Sequence, residues 1–253
     1  MSKLVMLRHG RSVWNKSRRF AGWADVELSA EGRDEAAKAG RLIKAHGLTF
    51  DVCFTSVLRR ASETLDIVLE TLGQQELPAH RSWRLNERHY GALEGLNRGE
   101  TDKRFGRAQV LSWQNEFDLP PPLLSADDER YPGHDPRYAD LPHSELPLGE
   151  TIRAVRKRVL PLWEERIVPE IRAGKRVLIV AHGNSLRALS THLDGVAEAE
   201  VGKVRRPLTG EPFVYELDQA MRAVGRSYFR QPLTIKRLAQ IAVDELKRRV
   251  VTA

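Results

Sequence analysis

Near the N-terminus stands Leu4-Val5-Met6-Leu7-Arg8-His9-Gly10, a short apolar run that ends in a cation, an imidazole and a glycine. The same plan recurs much later as Val177-Leu178-Ile179-Val180-Ala181-His182-Gly183-Asn184. Each apolar run predicts a buried parallel strand that is followed by a turn and a helix. Because the carboxyl ends of parallel strands line the ligand crevice of an open α/β sheet, these runs predict that His9 and His182 face each other across one pocket.

The segments around these two runs predict the rest of an α/β fold. Ser29 is a typical N-cap, and Gly47 is a typical helix stop. Pro161 and Pro169 are expected to kink or limit the long helix in which they lie. The expected elements are strands over 50–55, 213–217 and 227–229, and helices over about 30–45, 56–72, 150–172 and 184–193. We therefore predict a mostly parallel central sheet that is flanked by helices.

The domain organisation follows from the length and from the prolines. A chain of 253 residues fits one large α/β domain, so we expect residues 1–253 to form a single domain. The stretch from about 91 to 149 contains Pro120-Pro121-Pro122 and Pro132-Gly133, which predicts an irregular insertion over the active site. The tail, about 230–253, has the spacing of a basic amphipathic helix. It could be a lid over the pocket or a plain terminal helix packed on the domain.

Composition and charge exclude several classes of function. The net charge of +7 is spread along the chain, and no zinc-knuckle or RNA-binding signature accompanies it. We therefore expect small anionic substrates and no nucleic acid. No run approaches the roughly 18 apolar residues of a membrane span, so no membrane partner is expected. The single cysteine, Cys53, and the lack of an apolar leader before the first strand favour a cytoplasmic protein.

The titratable residues predict phosphoryl transfer. A neutral imidazole such as that of His9 is a good nucleophile near pH 7. A transferring phosphoryl group needs positive charge around its oxygens, and Arg8 and Arg60 fit this need because guanidinium groups bind phosphate bidentately. His182 is a further donor from the far side. Glu87 is the carboxyl best placed to move a proton to or from an alcohol.

Bland alternatives exist for each of these residues. A histidine at a strand end is often a polar cap or a satisfied core residue, and Glu87 could simply form an ion pair with Arg88. Arg59 and Arg60 could be a solvated surface pair. In the first turn of a helix, however, cations are disfavoured by the helix dipole, which suggests that an anion offsets them.

Signatures of other chemistry are absent from the sequence. It has no nucleotide-binding glycine loop, no His-Glu-x-x-His and no Cys-x-x-Cys. The pair His134-Asp135 has no partner cluster that would make it a metal site. We therefore expect no metal.

Seven stretches of the chain together resemble the cofactor-dependent phosphoglycerate mutases of the histidine phosphatase superfamily. The resemblance extends from Lys3 to about Phe229, and its more specific part lies in the two runs that begin at Asn86 and Tyr131. The seven stretches are Leu7-Arg8-His9-Gly10, Asn15-Lys16, Phe20-Ala21-Gly22-Trp23, Thr55-Ser56-Val57-Leu58-Arg59-Arg60-Ala61, Leu85-Asn86-Glu87-Arg88-His89-Tyr90-Gly91-Ala92-Leu93, Asp128 to Tyr138, and Ala181-His182-Gly183-Asn184-Ser185-Leu186-Arg187-Ala188-Leu189.

The resemblance implies a reaction and a site. His9 would be the phosphohistidine, primed by 2,3-bisphosphoglycerate, in the interconversion of 2- and 3-phosphoglycerate in glycolysis and gluconeogenesis. Arg8, Arg60 and His182 would hold the phosphoryl group, and Glu87 would be the acid/base. No metal would take part, and a homodimer or homotetramer would be usual. The implied substrate-binding residues are Ser12, Asn15, Ala21, Gly22, Arg88, Tyr90, Arg98, Gln114, Asn115, Gly183 and Asn184.

The chain departs from this family pattern at several positions. Arg11 stands where the pattern has a glutamate, Ala21 where it has a threonine, and Arg98 where it has a lysine. Gln114 and Asn115 replace a pair of arginines that helps to bind the substrate's second anionic end. Losing both would weaken binding of bisphosphoglycerate unless Arg11 or another cation takes their place.

Three hypotheses follow. The first is a phosphoglycerate mutase. The second is a phosphatase or mutase-like paralogue that acts on another phosphorylated metabolite through the same phosphohistidine. The third is a non-catalytic phosphate-binding or regulatory protein, which the complete set of chemical residues disfavours.

Overall fold

The computed structural model describes residues 1–229, and the chain in this range is built around one six-stranded sheet. The strand order is β3-β2-β4-β1-β5-β6. The first four strands are parallel to one another, and β5 runs antiparallel to both of its neighbours, β1 and β6. The strands are β1 (Ser2–Arg8), β2 (Val52–Thr55), β3 (Ala79–Arg81), β4 (Val177–Ala181), β5 (Pro212–Leu217) and β6 (Ala223–Tyr228). The predicted α/β fold with helices on a mostly parallel sheet is confirmed, although the short strand β3 was not expected.

The two strands that were singled out in the sequence are neighbours in the sheet. β1 pairs with β4 in parallel, with Arg8 opposite Ala181. The backbone N–H of His9 then donates to the carbonyl of Ala181 at 3.0 Å, which extends the pairing by one residue. His9 and His182 therefore leave the sheet side by side at the same edge.

Helices cover both faces of the sheet. The longer ones are α2 (Ala30–Ala45), α3 (Arg59–Leu72), α6 (Ile152–Leu162) and α8 (Gly183–Leu193), and the shorter ones are α1 (Val13–Lys16), α4 (Arg98–Phe105), α5 (Arg107–Asn115), α7 (Val168–Arg172) and α9 (Glu198–Val201). Because side chains alternate along a strand, Val5 and Leu7 of β1 pack with α2 and α3, whereas Leu4 and Met6 pack with α6, α7 and α8.

Local signals place the helix ends largely as predicted. The Ser29 hydroxyl accepts from the Gly32 N–H at 3.1 Å at the start of α2, and Gly47 follows its end with φ of 67°. The long helix predicted over 150–172 is α6 and α7, joined by a wider π-helical turn at Trp163–Ile167. Pro169 lies in the first turn of α7, where its missing N–H is tolerated.

The insertion is more regular than expected at its beginning. Helices α4 and α5 occupy 98–115, which is part of the stretch that we predicted to be irregular from its prolines. The proline-rich remainder forms short 3₁₀ turns and loops, as predicted. It packs beside the crevice, since the Asn86 side chain donates to the Tyr138 hydroxyl at 2.9 Å. The helix predicted in the tail lies outside the described residues.

Candidate active site

His9 and His182 meet at the edge of the sheet, with ring centroids 4.9 Å apart. Both side chains are buried. Nδ1 of His9 lies 2.6 Å from the carbonyl oxygen of Gly10. Because a carbonyl oxygen can only accept, Nδ1 carries the ring proton, and the lone pair of His9 lies on Nε2.

The surroundings of His9 keep its ring neutral. Burial lowers the pKa of His9 well below its usual value, and the positive charges of Arg60 and Arg8 lower the pKa further. A second protonation of the imidazole is therefore suppressed at neutral pH, which leaves Nε2 free to act as a nucleophile.

His182 offers a hydrogen-bond donor next to this nucleophile. Its Nε2 lies 2.7 Å from the hydroxyl of Ser56, which itself accepts from the Leu58 N–H at 3.2 Å. When the Ser56 hydroxyl donates to this Nε2, the ring proton of His182 lies on Nδ1. This Nδ1 is buried and has no hydrogen-bond partner among residues 1–229. A free buried donor fits an oxygen of a bound phosphoryl group.

Two arginines contribute the positive charge: Arg60, which is buried, and Arg8, which is half-buried. Arg60 lies in the first turn of α3, and its guanidinium donates to the carbonyls of Gly22 at 2.7 Å and Ala24 at 2.8 Å. Arg8 donates from Nη1 to the Pro207 carbonyl at 2.9 Å, while its buried Nε has no partner in the described chain. Arg59, by contrast, is exposed and contributes only its backbone N–H, which donates to Asp25. Of the two arginines at this helix start, only Arg60 faces the site.

Glu87 is kept ionised by four hydrogen bonds to its carboxylate oxygens. It accepts from the N–H groups of Arg88 (2.8 Å), Gly183 (3.1 Å) and Asn184 (3.0 Å), and from Nδ2 of Asn184 (2.9 Å). Burial alone would raise the pKa of Glu87, but Arg8 and these donors outweigh it and lower the pKa to about 2. The backbone donors at the start of α8 therefore fix an ionised carboxylate beside the histidines.

Most of the residues singled out in the sequence line one small cavity. Its volume is about 30 Å³, and a basic groove of about 1330 Å³ adjoins it and shares Arg8, Asn15, Arg98 and Arg206 with it. The predicted residues that line the cavity are Arg8, His9, Asn15, Ala21, Gly22, Arg60, Glu87, Tyr90 and Arg98. Asn115 lines the groove instead.

Other predicted contact residues support the cavity wall rather than line it. Ser12 accepts from the Asn15 N–H at 3.1 Å and so caps α1. Arg88 is buried and donates to the carbonyls of Glu150, Trp113 and Leu119, so it is not the ion-pair partner of Glu87.

The remaining wall residues act through their neighbours. Gln114 accepts from Nη1 of Arg98 at 2.8 Å. Gly183 and Asn184 bind Glu87, and Asn184 also donates to the Tyr90 hydroxyl at 3.0 Å. The amide of Gln114 accepts from Arg98 and donates to the Val110 carbonyl, so it orients Arg98. Its direct contact with substrate stays a prediction.

Comparison with known families identifies this architecture. Residues 4–210 match the family described as histidine phosphatase superfamily, branch 1. The chain belongs to this superfamily. The match runs from β1 through Gly210 and so includes both histidines, Arg60 and Glu87.

Several solved structures share the fold of this chain. The YhfR protein of Bacillus stearothermophilus has 26% identity, a TM-score of 0.65, and coverage of 88% of this chain and 94% of its own. A mycobacterial glucosyl-3-phosphoglycerate phosphatase has 24% identity and a TM-score of 0.69, with coverage of 91% and 99% respectively. The alpha-ribazole phosphatase from Shigella flexneri has 23% identity and a TM-score of 0.64, with coverage of 90% and 96%.

One cation at the site of this superfamily member was not singled out in the sequence. Arg206, in the loop between α9 and β5, lines both the cavity and the groove. Arg11, which was the named substitute for the missing arginines, is exposed and bonds Glu35 instead. The pair Arg205-Arg206 before Pro207 was the available signal, but a loop position gives no periodicity that would place it at the site.

A buried ion pair supports the loop that carries Glu87. Arg158 of α6 donates to Glu150 at 2.7 Å and to the backbone carbonyl of Glu87 at 2.9 Å. Glu150 in turn accepts from the N–H of His89 at 2.7 Å. Neither Arg158 nor Glu150 was predicted as a site residue, because charges inside a helical pattern are usually solvated.

Residues 1–229 contain neither a cluster of metal ligands nor a membrane-spanning helix. Within residues 1–229, no group of three or more His, Cys, Asp or Glu side chains is arranged to hold a metal ion. Every helix in the same range is too short or too polar to cross a membrane.

Proposed function

We propose that this protein is a phosphohistidine-forming enzyme that removes the phosphoryl group from a small phosphorylated metabolite, in the manner of a phosphatase. The observation that carries the proposal is the state of His9: neutral, with its lone pair on Nε2, in a cavity with Arg8, Arg60 and an ionised Glu87. Nucleophile, charge stabilisation and proton carrier are the three parts that phosphoryl transfer needs.

In the first step Nε2 of His9 attacks phosphorus as the bond to the ester oxygen breaks. The free Nε of Arg8 and Nδ1 of His182 are unpartnered donors that fit the phosphoryl oxygens. A phosphoryl dianion offsets the charges of Arg8 and Arg60, which lower the pKa of Glu87, so its pKa rises when substrate binds. Glu87 then takes up a proton and passes it to the leaving alkoxide, which departs as an alcohol.

In the second step water attacks the phosphorus of phosphohistidine. The water proton goes to Glu87, the N–P bond breaks, and its electron pair returns to Nε2 of His9. Nδ1 stays protonated because it donates a hydrogen bond to the Gly10 carbonyl. The phosphorylated ring is therefore cationic, and its N–P bond is easier to break. The sum of both steps is ester plus water giving alcohol plus phosphate.

The names of structural neighbours are consistent with phosphate release. Two of the similar solved structures are named as phosphatases, of glucosyl-3-phosphoglycerate and of alpha-ribazole phosphate. Their identity to this chain is too low to bring either substrate to it. The proposal therefore names a small phosphorylated metabolite as substrate and water as acceptor, and it rests on the geometry of the site.

A phosphoglycerate mutase is the second candidate. The favouring observation is that the mutase-like run 85–93 surrounds the site, with Glu87 and Tyr90 in the cavity wall. In that reaction 2,3-bisphosphoglycerate would supply the phosphoryl group that primes His9. The buried unpartnered donors on Arg8 and His182 fit one phosphate of such a primer, while Arg98 and Arg206 are the cations available for its other anionic end. Metal independence and a homodimer or homotetramer stay predictions.

One pair of assays tests both candidates. Release of inorganic phosphate from 3-phosphoglycerate and other small esters is measured beside an enolase-coupled assay of 2-phosphoglycerate, with and without 2,3-bisphosphoglycerate. Phosphate release without mutase turnover is the expected result. Mutase turnover that depends on bisphosphoglycerate and exceeds phosphate release would establish the second candidate, and no turnover in either assay would contradict both.

A further inference from the structure

Arg206 stands where the basic groove meets the His9 cavity. Its side chain lines both spaces, and Nη1 donates to the Tyr90 hydroxyl at 3.2 Å. The same hydroxyl accepts from Nδ2 of Asn184 at 3.0 Å, which also donates to Glu87 at 2.9 Å. Three hydrogen bonds thus connect Arg206 to the carboxylate beside His9, so its guanidinium lies within the reach of a small molecule whose phosphoryl group is at His9.

The loop that carries Arg206 is held in place by the phosphoryl pocket itself. Nη1 of Arg8 donates to the carbonyl of Pro207 at 2.9 Å, and the carbonyl of Arg8 accepts from the Gly210 N–H at 3.1 Å. Pro207 is buried and restricts the backbone next to Arg206. Arg206 is therefore positioned before any ligand binds, which reduces the entropic cost of using it as a ligand contact.

The charge of Arg206 is not matched by an acid in the described part of the chain. Among residues 1–229, no carboxylate forms an ion pair with Arg206, with Arg98 or with Arg187, although all three line the groove. Arg98 is held by the neutral amide of Gln114. Burial would raise the pKa of Tyr90, but Arg206, Arg98 and Arg88 outweigh it and lower the pKa. A phenol whose ionisation is favoured in spite of burial reports a strongly positive local potential, as an anion-binding site requires.

We propose that Arg206 determines substrate specificity by binding a second anionic group, a carboxylate or a phosphate, on the molecule whose phosphoryl group is transferred to His9. Arg98 is its partner in this subsite, and the proposal rests on the phosphoryl transfer proposed above. Arg206 comes from the loop before β5, whereas Gln114 and Asn115, which stand in place of the arginine pair of the family pattern, lie at the end of α5. The subsite is therefore rebuilt from a different element.

Binding measurements test this role independently of turnover. Calorimetric dissociation constants are measured in the His9→Asn background, which cannot consume either ester, for 3-phosphoglycerate, which has a carboxylate, and for glycerol 3-phosphate, which lacks one. With Arg206 intact, the protein is expected to prefer 3-phosphoglycerate. Arg206→Gln keeps a hydrogen-bond donor but removes the charge, and we expect it to weaken 3-phosphoglycerate binding about 10- to 100-fold and glycerol 3-phosphate binding less than about threefold. Arg206→Lys keeps the charge and is expected to retain part of the preference.

Arg205→Gln is the matched control for charge. It removes the same charge from the neighbouring residue, whose exposed side chain lines the groove but not the His9 cavity. We expect it to change the preference much less than Arg206→Gln does. Thermal unfolding of each variant shows that the fold is kept, and Arg206→Lys provides the comparison if Arg206→Gln does not fold.

The outcomes separate this proposal from the proposed function. No preference for 3-phosphoglycerate with Arg206 intact, or equal effects of Arg206→Gln on both ligands, would overturn the role of Arg206. Equal effects of the Arg205 and Arg206 variants would show that only the general charge of the loop matters. Preferential binding that is lost in Arg206→Gln, together with no turnover of either ester when His9 is intact, would keep the subsite and reject the enzyme.

Discussion

At the scale of single residues, His9 is the group on which all the chemistry depends. We expect His9→Ala to abolish both turnover and the formation of an acid-labile phosphoenzyme, because His9 is the only imidazole in the described cavity wall. The measurement is incorporation of labelled phosphate into the denatured protein. His143→Ala, an exposed histidine of the insertion, is the control and should label normally. Label that persists on His9→Ala would assign the phosphoryl group to another residue.

Glu87 gives a prediction that depends on the leaving group. Glu87→Gln keeps the shape but cannot carry a proton, so turnover of an alkyl phosphate should fall by about 10²–10⁴-fold. Nitrophenolate leaves without needing a proton, so we expect a much smaller fall for phosphorylation of the enzyme by p-nitrophenyl phosphate. Single-turnover measurements with both esters compare this step directly. Equal losses would mean that Glu87 positions its neighbours instead of moving a proton.

At the scale of elements, α6 stabilises the loop that carries Glu87. Arg158 and Glu150 are both nearly fully buried, and removing one partner of a buried pair typically costs about 3–5 kcal/mol. We expect Arg158→Met to lower the free energy of unfolding by about that amount and to reduce turnover, because it also frees the Glu87 carbonyl. Urea unfolding measures the first effect, and phosphate release measures the second.

The same helix provides the control for this prediction. Arg153 pairs with Asp118 and Glu198 at the surface, with half of its side chain exposed. Arg153→Met removes two ion pairs from the same helix, but little stability should be lost because the partners that remain are solvated. Similar losses in the two variants would show that the buried pair has no special role.

The elements also show what could and could not be predicted from sequence. Runs with a clear period, such as those of β1, β4 and α2, were predicted within a residue or two because burial on one or both faces dictates their composition. The residues at the ends of β1 and β4 could be placed at one site for the same reason. Arg206 and Arg158 could not, because a loop contact or a buried charge depends on which distant segment packs against it.

At the scale of the whole molecule, the two neutral, buried histidines make the free energy of unfolding decrease at low pH. Burial keeps the pKa values of His9 and His182 well below 6.5 in the folded state, whereas the unfolded chain binds protons near that value. Because the unfolded state then binds more protons, stability falls as pH decreases below about 6.5, by about 1.4 kcal/mol per pH unit for each histidine. Above that pH both rings are neutral in both states, and the effect vanishes.

The variant His9→Asn separates the contribution of His9 to this pH dependence from that of the other titratable groups. In His9→Asn the dependence of unfolding free energy on pH between about 6 and 5 should become shallower by about 1.4 kcal/mol per pH unit. Urea titrations at a series of pH values provide the slopes. Identical slopes for the native protein and the variant would mean that His9 is protonated in the folded state over this range.

The central place of β1 in the sheet determines when the protein becomes reactive during synthesis. β1 is among the first segments made, yet its neighbours on both sides, β4 and β5, belong to the last third of the chain. Until they emerge from the ribosome, this apolar strand has two open edges, the kind of surface that promotes aggregation in nascent chains. His9 is thus translated near the beginning of synthesis but reaches its folded surroundings near the end, and a chain that terminates before β4 lacks His182 and the strand that holds β1 beside it.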